Sequence, residues 1–505
     1  MNKKMVIIGY GSLWFVLATF SVIRYGAIWG RSCFFQTPGW LACTAQLENG
    51  ARIGLGLVIA AIFACLLAAG LWLWKNGTAV AIVSGRLRLI LLSLGMLALL
   101  VVPLGSSDLP YYFSSGKAIS EGLNPYNSPW KVQVDFSDPV QSLTATYYAY
   151  GPIMATIFHY LYLLTKGNVV LFILGWKMLM LITFVACGLL TVYLCKLISK
   201  NNTIDWTVLW FSQPLLLFEW LVNGHFDGLW LLSLLVAIYT AHTKRWWLVL
   251  PALTVGVWIK FLPLLFVPFF ALWWWQDINW NTWKNKTIQA LVGVVVSGAI
   301  TMASWVPYWV GPKVFDSLVM QSKWAFSSIF ATIYYSLKPL FESVLADQAH
   351  WYLTRLVQGA LLVVVLYMLY PLFKKSWAIL LKKEAWESGK YVLAIFIFLL
   401  VYTLFWQKSF WPWYMTWFIP LANIAYQATK QKPIYTIITW ISTVAVVQHV
   451  ALLLNSLSKD PAPGTSLWFS WFVVGTIMVH PIYVLYSWRK NDYSFSLNES
   501  SPYAK

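Results

Sequence analysis

Ser107-Asp108-Leu109-Pro110-Tyr111-Tyr112 decides how this chain is read, because an apolar run over 89–104 gives way there to an acid. A carboxylate at the mouth of a membrane-length run is costly, and such groups are candidates for chemistry by default. Behind it lies a polar segment, 105–150, that holds Gly122-Leu123-Asn124-Pro125-Tyr126, Asp135, Asp138 and Tyr150-Gly151-Pro152. The segment reads as a loop too long to be a mere turn, and loops of that length are usually functional.

Most of the remaining chain is apolar. Hydrophobic residues make up 60% of 505 positions and charged residues 10%. No soluble domain of this size has an interior for so much apolar surface, so lipid is the solvent for most of it. Runs that reach bilayer length recur from end to end. The expected fold is therefore an all-α polytopic membrane protein, a bundle of about fourteen transmembrane or partial helices. The net charge of +18 invites a nucleic-acid reading. Placement excludes it, because Lys374/Lys375, Lys382/Lys383, Lys430/Lys432 and Arg489/Lys490 sit in short connections, where basic residues set orientation. Membrane lipid is thus a partner and nucleic acid is not.

The Asn2-Lys3-Lys4 start is like the head of a signal peptide. The run from Met5 to Ile28 is too long for one and lacks a small-residue exit, so no cleavage is expected. Cys65, Cys187 and Cys195 lie in apolar runs and read as core, while Cys33 and Cys43 share a short outward loop compatible with a disulfide. No CxxC or His/Cys cluster argues for a metal, and no cofactor is expected.

With Lys3 and Lys4 inside, helices over 6–29 and 51–74 return to a basic inner loop carrying Lys75, Arg86 and Arg88. A third helix, 89–104, delivers Asp108 to the outer side. The short apolar stretch 151–165 reads as an interfacial or re-entrant helix. The chain then goes in along 169–195 and out along 206–222, bringing Asn223-Gly224-His225-Phe226-Asp227 to the face of Asp108. A helix over 228–243 reaches Lys244-Arg245 inside.

Charge counting then makes a test. Lys284 and Lys286 belong inside, which fails if 246–275 is one span. Two short helices that turn near Lys260 and Pro263 remove the conflict, and broken helices at membrane depth normally line a cavity. That turn brings Lys260 toward His225, Asp227 and Asp108. Further spans are expected at 288–306, 352–373, 391–407, 411–428, 434–455 and 466–487, with a surface-lying helix near 326–345. The chain divides into a two-helix extension with its inner loop (1–88), a core (89–310), an outer region (311–350), a C-terminal bundle (351–487) and a cytoplasmic tail (488–505). It shows no internal repeat of the kind transporters carry.

Each candidate side chain has a plain reading and a functional one. Asp108 either marks the membrane boundary or removes a proton from a hydroxyl, with desolvation raising its basicity. Asn124-Pro125-Tyr126 and Tyr150-Gly151-Pro152 are turn chemistry. Tyr111, Tyr112, Tyr126, Tyr147, Tyr148 and Tyr150 suit a sugar face as well as a headgroup belt. His225 and Asp227 are either a structural pair or part of a site. Lys260, between Ile259 and Phe261, either snorkels to the interface or meets an anion such as a lipid phosphate. Phe410-Trp411-Pro412-Trp413-Tyr414 begins as a belt and is a substrate-facing wall only in addition.

Taken in order, four of these features resemble the GT-C glycosyltransferases, and most of all the bacterial polyprenol-phosphate-mannose-dependent mannosyltransferases. The features are Asp108 with Tyr112, Gly116, Gly122, Asn124-Pro125-Tyr126 and Asp138-Pro139; then Tyr150-Gly151-Pro152; then Asn223-Gly224-His225-Phe226-Asp227-Gly228 with Lys260 and Pro263; then Trp411-Pro412-Trp413-Tyr414 with Trp417 and Pro420. They span roughly residues 89 to 425. The resemblance implies a GT-C bundle and an inverting transferase in the plasma (inner) membrane, working on the outer or periplasmic face in the cell envelope. It implies a polyprenyl-phosphate sugar donor, with mannose favoured, and a glycan, glycolipid or protein acceptor. Asp108 would be the base, with Lys260 steadying the departing phosphate. Tyr112, Asn124, Tyr126, Tyr150, His225, Asp227, Trp411 and Tyr414 would contact substrate. One departure stands out: many such first loops carry adjacent acids, and Ser107-Asp108-Leu109 offers one. The rival from another class is a transporter or flippase for a lipid-linked sugar.

Overall fold

The computed structural model describes residues 9, 12–13, 15–16, 98–101, 108–127, 130–134, 141–145, 148, 150–198, 210, 213–279, 281–316, 319, 325–345, 348–440 and 471–494. The second expected helix, 51–74, Cys33, Cys43, Cys65, Asp135, Asp138 and most of the tail lie outside the described residues, and so do most of the expected helices 6–29, 89–104 and 434–455.

The described chain is predominantly helical, and the described parts of the segment behind Asp108, expected as a loop, carry regular structure. Asp108 opens helix α1, Asp108–Ser120. Two antiparallel strands follow, β1 (Trp130–Val134) and β2 (Gln141–Ala145), with Val132 opposite Leu143. Apart from this strand pair the described chain is helical, as expected. Helix α1 escaped the sequence because it is short and polar, and tertiary packing holds it. Gly116 lets it touch helix α2 (Pro152–Leu164), for a Cβ there would stand 2.5 Å from the Phe158 carbonyl oxygen. Its buried serines satisfy themselves: Ser114 Oγ donates to Pro110 O and Ser115 Oγ to Tyr111 O, each at 2.8 Å. Gly122, with φ +84°, ends it in the left-handed turn that suits glycine, and Leu123 N reaches back to Ala118 O at 3.0 Å.

The long apolar helix α3 (Val169–Ile198) follows. The next described elements are a short helical piece, Pro214–Leu216, and a π turn, Leu217–Val222. Helix α4 (Asp227–His242) returns, and α5 (Trp246–Ile259) packs along it. At Lys260 the backbone leaves the helix (φ −147°, ψ 128°), a 3-10 turn over Leu262–Phe266 follows, and α6 runs Val267–Asp277. The chain therefore breaks where the inner-loop charges required it to. Helices α7 (Trp283–Trp305), α8 (Ile329–Leu345), α9 (Ala349–Leu380), α10 (Ser388–Val401), α11 (Phe418–Thr429) and α12 (Val479–Arg489) complete the described bundle.

Five described helices are long and apolar enough to cross a membrane: Val169–Ile198, Trp283–Trp305, Ala349–Leu380, Ser388–Trp406 and Trp471–Arg489. Shorter apolar helices fill the space between them, α2, α4 and α5 among them. Leu291, Val295 and Met302 of α7 and Val363 and Phe373 of α9 are exposed, which suits lipid and not water. At the end of α5 remote from Lys260, Asp277 pairs with Lys244 and Lys286 at 2.7 Å each, and Lys382 Nζ donates to Ile278 O at 3.0 Å. The lysines assigned to three separate inner loops thus gather at one end of the bundle.

Candidate active site

The site is assembled by three close backbone approaches. Gly151 N donates to Ile259 O at 3.2 Å, and a Cβ on Gly151 would stand 2.1 Å from the Trp258 carbonyl oxygen. Tyr150-Gly151-Pro152 therefore pins the start of α2 beside Lys260, with the proline in the first helical turn. Gly224, at φ +75°, turns the chain between the π turn and α4, and its carbonyl accepts Trp176 Nε1 at 2.7 Å. That turn carries His225. Behind Asp108, the buried Lys177 of α3 donates its ammonium to the carbonyls of Leu99 and Val101, fixing the segment that leads to the acid.

Asp108 and His225 meet directly, with Oδ2 at 3.3 Å from Nδ1. The same oxygen accepts the Tyr112 hydroxyl at 3.0 Å. Tyr112 is itself fixed by stacking on Phe158 (centroids 4.8 Å apart) and by Trp176 at 5.0 Å. On its far edge His225 Nε2 lies 3.5 Å from Oε2 of Glu219, and its face stacks on Trp413 at 3.9 Å. A row of rings continues from Trp413 to Trp411 (4.9 Å) and Phe326 (4.2 Å).

Asp227 opens α4 and has a different set of partners. Its Oδ1 accepts Lys260 Nζ at 2.7 Å, Trp417 Nε1 at 2.7 Å and Trp230 Nε1 at 3.2 Å. The Lys260 ammonium also lies over the rings of Trp417 (4.7 Å), Tyr414 (4.9 Å) and Phe226 (5.6 Å), an aromatic cage of the kind cations favour.

Exposure sorts these groups. The side chains of His225, Glu219 and Asp227 are 1%, 0% and 2% exposed, whereas Asp108 keeps 26% and Lys260 21%. An incoming molecule therefore meets one carboxylate and one ammonium. Burial pushes the Asp108 carboxyl upward, as the sequence suggested, but His225, Tyr112 and Lys260 outweigh it and hold it below the ordinary range. For His225, burial disfavours the charge, yet Asp108, Glu219 and Asp227 prevail and raise it above the ordinary histidine value. Both shifts favour a carboxylate beside an imidazolium. The expectation that desolvation makes Asp108 more basic is reversed by these neighbours.

Of the residues singled out in the sequence, Asp108, Tyr112, His225, Asp227, Lys260, Trp411 and Tyr414 come together here. Tyr150 packs edge-on against Tyr112 and Phe226 at 6.0 and 4.6 Å. Asn124 and Tyr126 spend their polar atoms on the backbone: Asn124 Oδ1 accepts Tyr126 N at 2.9 Å, its Nδ2 donates to Tyr308 O at 3.1 Å, and the Tyr126 hydroxyl donates to Tyr150 O at 2.8 Å. Glu219 was overlooked, although an acid inside the apolar run 206–222 is a signal by itself. Trp413 and Trp417, read only as part of a motif, make the contacts to His225 and Asp227. Among the described residues no group of three or more His, Cys, Asp or Glu side chains is arranged to hold a metal ion.

Comparison with known proteins places the chain among the membrane mannosyltransferases. Residues 8–276, more than half of the chain, match the family model described as alpha-(1->6)-mannopyranosyltransferase, N-terminal domain. The chain belongs to that family. No curated protein matches it.

Proposed function

We propose that this protein transfers a mannosyl group from a polyprenyl-phosphate donor to the 6-hydroxyl of a mannose-bearing glycan or glycolipid, with inversion, in the manner of a GT-C enzyme. The reaction takes place on the outer face of the plasma membrane. The observation that carries this reading is the division of exposure: of five ionisable groups that converge, the two open to a substrate are the base Asp108 and the cation Lys260. An α-linked product made by inversion requires a β-linked donor.

In the reaction Asp108 takes the proton of the acceptor hydroxyl as its oxygen attacks the anomeric carbon. The bond from that carbon to the phosphate oxygen breaks, and the electron pair leaves with the polyprenyl phosphate. The phosphate passes from one negative charge to two, and Lys260, held by Asp227 and its ring cage, meets the added charge. His225 holds Asp108 ionised until the proton arrives. The phosphate is already a stable leaving group, so positioning and charge neutralisation supply most of what is needed.

The test is transfer by the detergent-solubilised protein from a polyprenyl-phosphate mannose to an α-1,6-linked dimannoside. A trisaccharide with a new α-1,6 bond is expected. A flippase would need a sealed compartment, so movement of the lipid-linked sugar across vesicles without any trisaccharide in detergent would refute the proposal.

A further inference from the structure

We infer that Glu219 is a positioning residue of this site: from behind His225 it keeps the imidazole doubly protonated and turned toward Asp108. The inference rests on Asp108 acting as the base.

Glu219 stands fully buried in the π turn. It interrupts an apolar run, and a fully buried acid is expensive unless specific partners use its charge. Its partners are close: Asn223 Nδ2 donates to Oε2 at 3.0 Å, and the same oxygen faces His225 Nε2. Backbone geometry is bent to make this contact. Glu219 and His225 are six positions apart, a spacing that puts side chains on different sides of a regular helix. The π turn adds a residue to the coil, so that Asn223 N bonds Phe218 O at 2.8 Å, and the left-handed Gly224 folds His225 N back to Glu219 O at 2.9 Å. Such π turns recur at functional sites.

The ring's protonation follows from what surrounds it. Asp108 faces Nδ1 from α1, and Glu219 faces Nε2 from the π turn. Asp227 adds negative charge from the start of α4, offset by Lys260, and Trp413 covers the ring face. A neutral imidazole has one N–H, so it would leave one carboxylate facing a lone pair. Only the imidazolium turns an N–H edge to each carboxylate. Without Glu219 the ring would lose its second reason to stay charged and would be free to turn away from Asp108.

The test reads the ring directly. The protein has six histidines, so ¹⁵N-histidine labelling in detergent, with His225→Asn to assign the signal, isolates the His225 titration. In the wild type it is expected above the free histidine range. In Glu219→Gln it is expected to fall by about one pH unit or more, the size of effect an opposite charge at this distance exerts. The alkaline limb of mannosyl transfer, measured with the polyprenyl-phosphate donor and dimannoside, should move to lower pH by the same amount. Glu219→Asp keeps the charge but draws it back by a methylene, so it should shift both readouts by less than half as much. A folded Glu219→Gln protein with an unmoved His225 titration, or an Asp variant that shifts as far as Gln, overturns the inference. Should Glu219→Gln not fold, Glu219→Asp against wild type decides, with no shift counting against. Asp108→Asn separates the two ideas: activity surviving there refutes the base itself, whereas a dead Asp108→Asn beside an unmoved Glu219→Gln refutes only the role of Glu219.

Discussion

The two arms of the site are built from the same residue types and behave differently. On the Asp108 arm, acid, imidazole and second acid are joined through ring edges at 3.3 and 3.5 Å, and their protonation states depend on one another. On the Lys260 arm, the acid is sealed by two indole donors and the cation sits over three rings. A group that moves a proton needs neighbours that can answer the change. A group that only steadies an anion needs to be held still.

The largest effect is expected on the first arm. Asp108→Asn would remove the proposed base and should lower transfer by about 10²–10⁴-fold. The protein should stay folded and inserted, because Asn still accepts the Tyr112 hydroxyl. Circular dichroism and a melting curve beside the assay check both halves. On the second arm Lys260→Ala should cost about 10²–10³-fold in kcat. Lys260→Arg should recover part of that, since the charge over the rings is kept.

A smaller effect should appear in the pH profile and separate the arms further. His225 has its pKa raised above 6.5, so the imidazolium–carboxylate pair is complete below that value and is lost as pH rises through the higher, folded one. Asp108 is lowered below 3.8, so the pair is kept above that value and lost only as pH falls through the lower one. Transfer in wild type should therefore hold level across this range and decline on the alkaline side at His225. A decline set by an ordinary, unshifted histidine would show that the two groups are not coupled. The smallest effect is expected outside both arms: Asn124→Ala should lower stability by about 1 kcal/mol through its lost backbone bonds and leave transfer within a few-fold of wild type.

What the sequence disclosed depended on which force decided each element. The break at Lys260 was legible because orientation is set by charge counts, which are local and additive. The convergence of Asp108, His225 and Asp227 followed from the same counting, since helix ends alternate between faces. Helix α1 was hidden because its stability comes from Gly116 lying against the Phe158 backbone, a contact between segments about forty residues apart. The strand pair Trp130–Val134 and Gln141–Ala145 was hidden because two five-residue strands leave little periodic signal. Glu219 was hidden because a π turn shifts the register by one residue, and no pattern of apolar spacing announces that. The direction of the Asp108 shift was misjudged for a related reason: burial can be read from sequence, but the imidazolium beside the acid cannot.

The division of labour between the arms is tested most directly by changing the leaving group. A β-mannosyl donor carrying dinitrophenolate needs no cation to help its departure, yet its acceptor hydroxyl must still be deprotonated. With that donor and the dimannoside, Lys260→Ala is expected to come within about tenfold of wild type, in line with the several kcal/mol that charge stabilisation supplies at such a site, while Asp108→Asn stays inactive. Recovery of Asp108→Asn with no recovery of Lys260→Ala would mean that the two roles have been assigned the wrong way round.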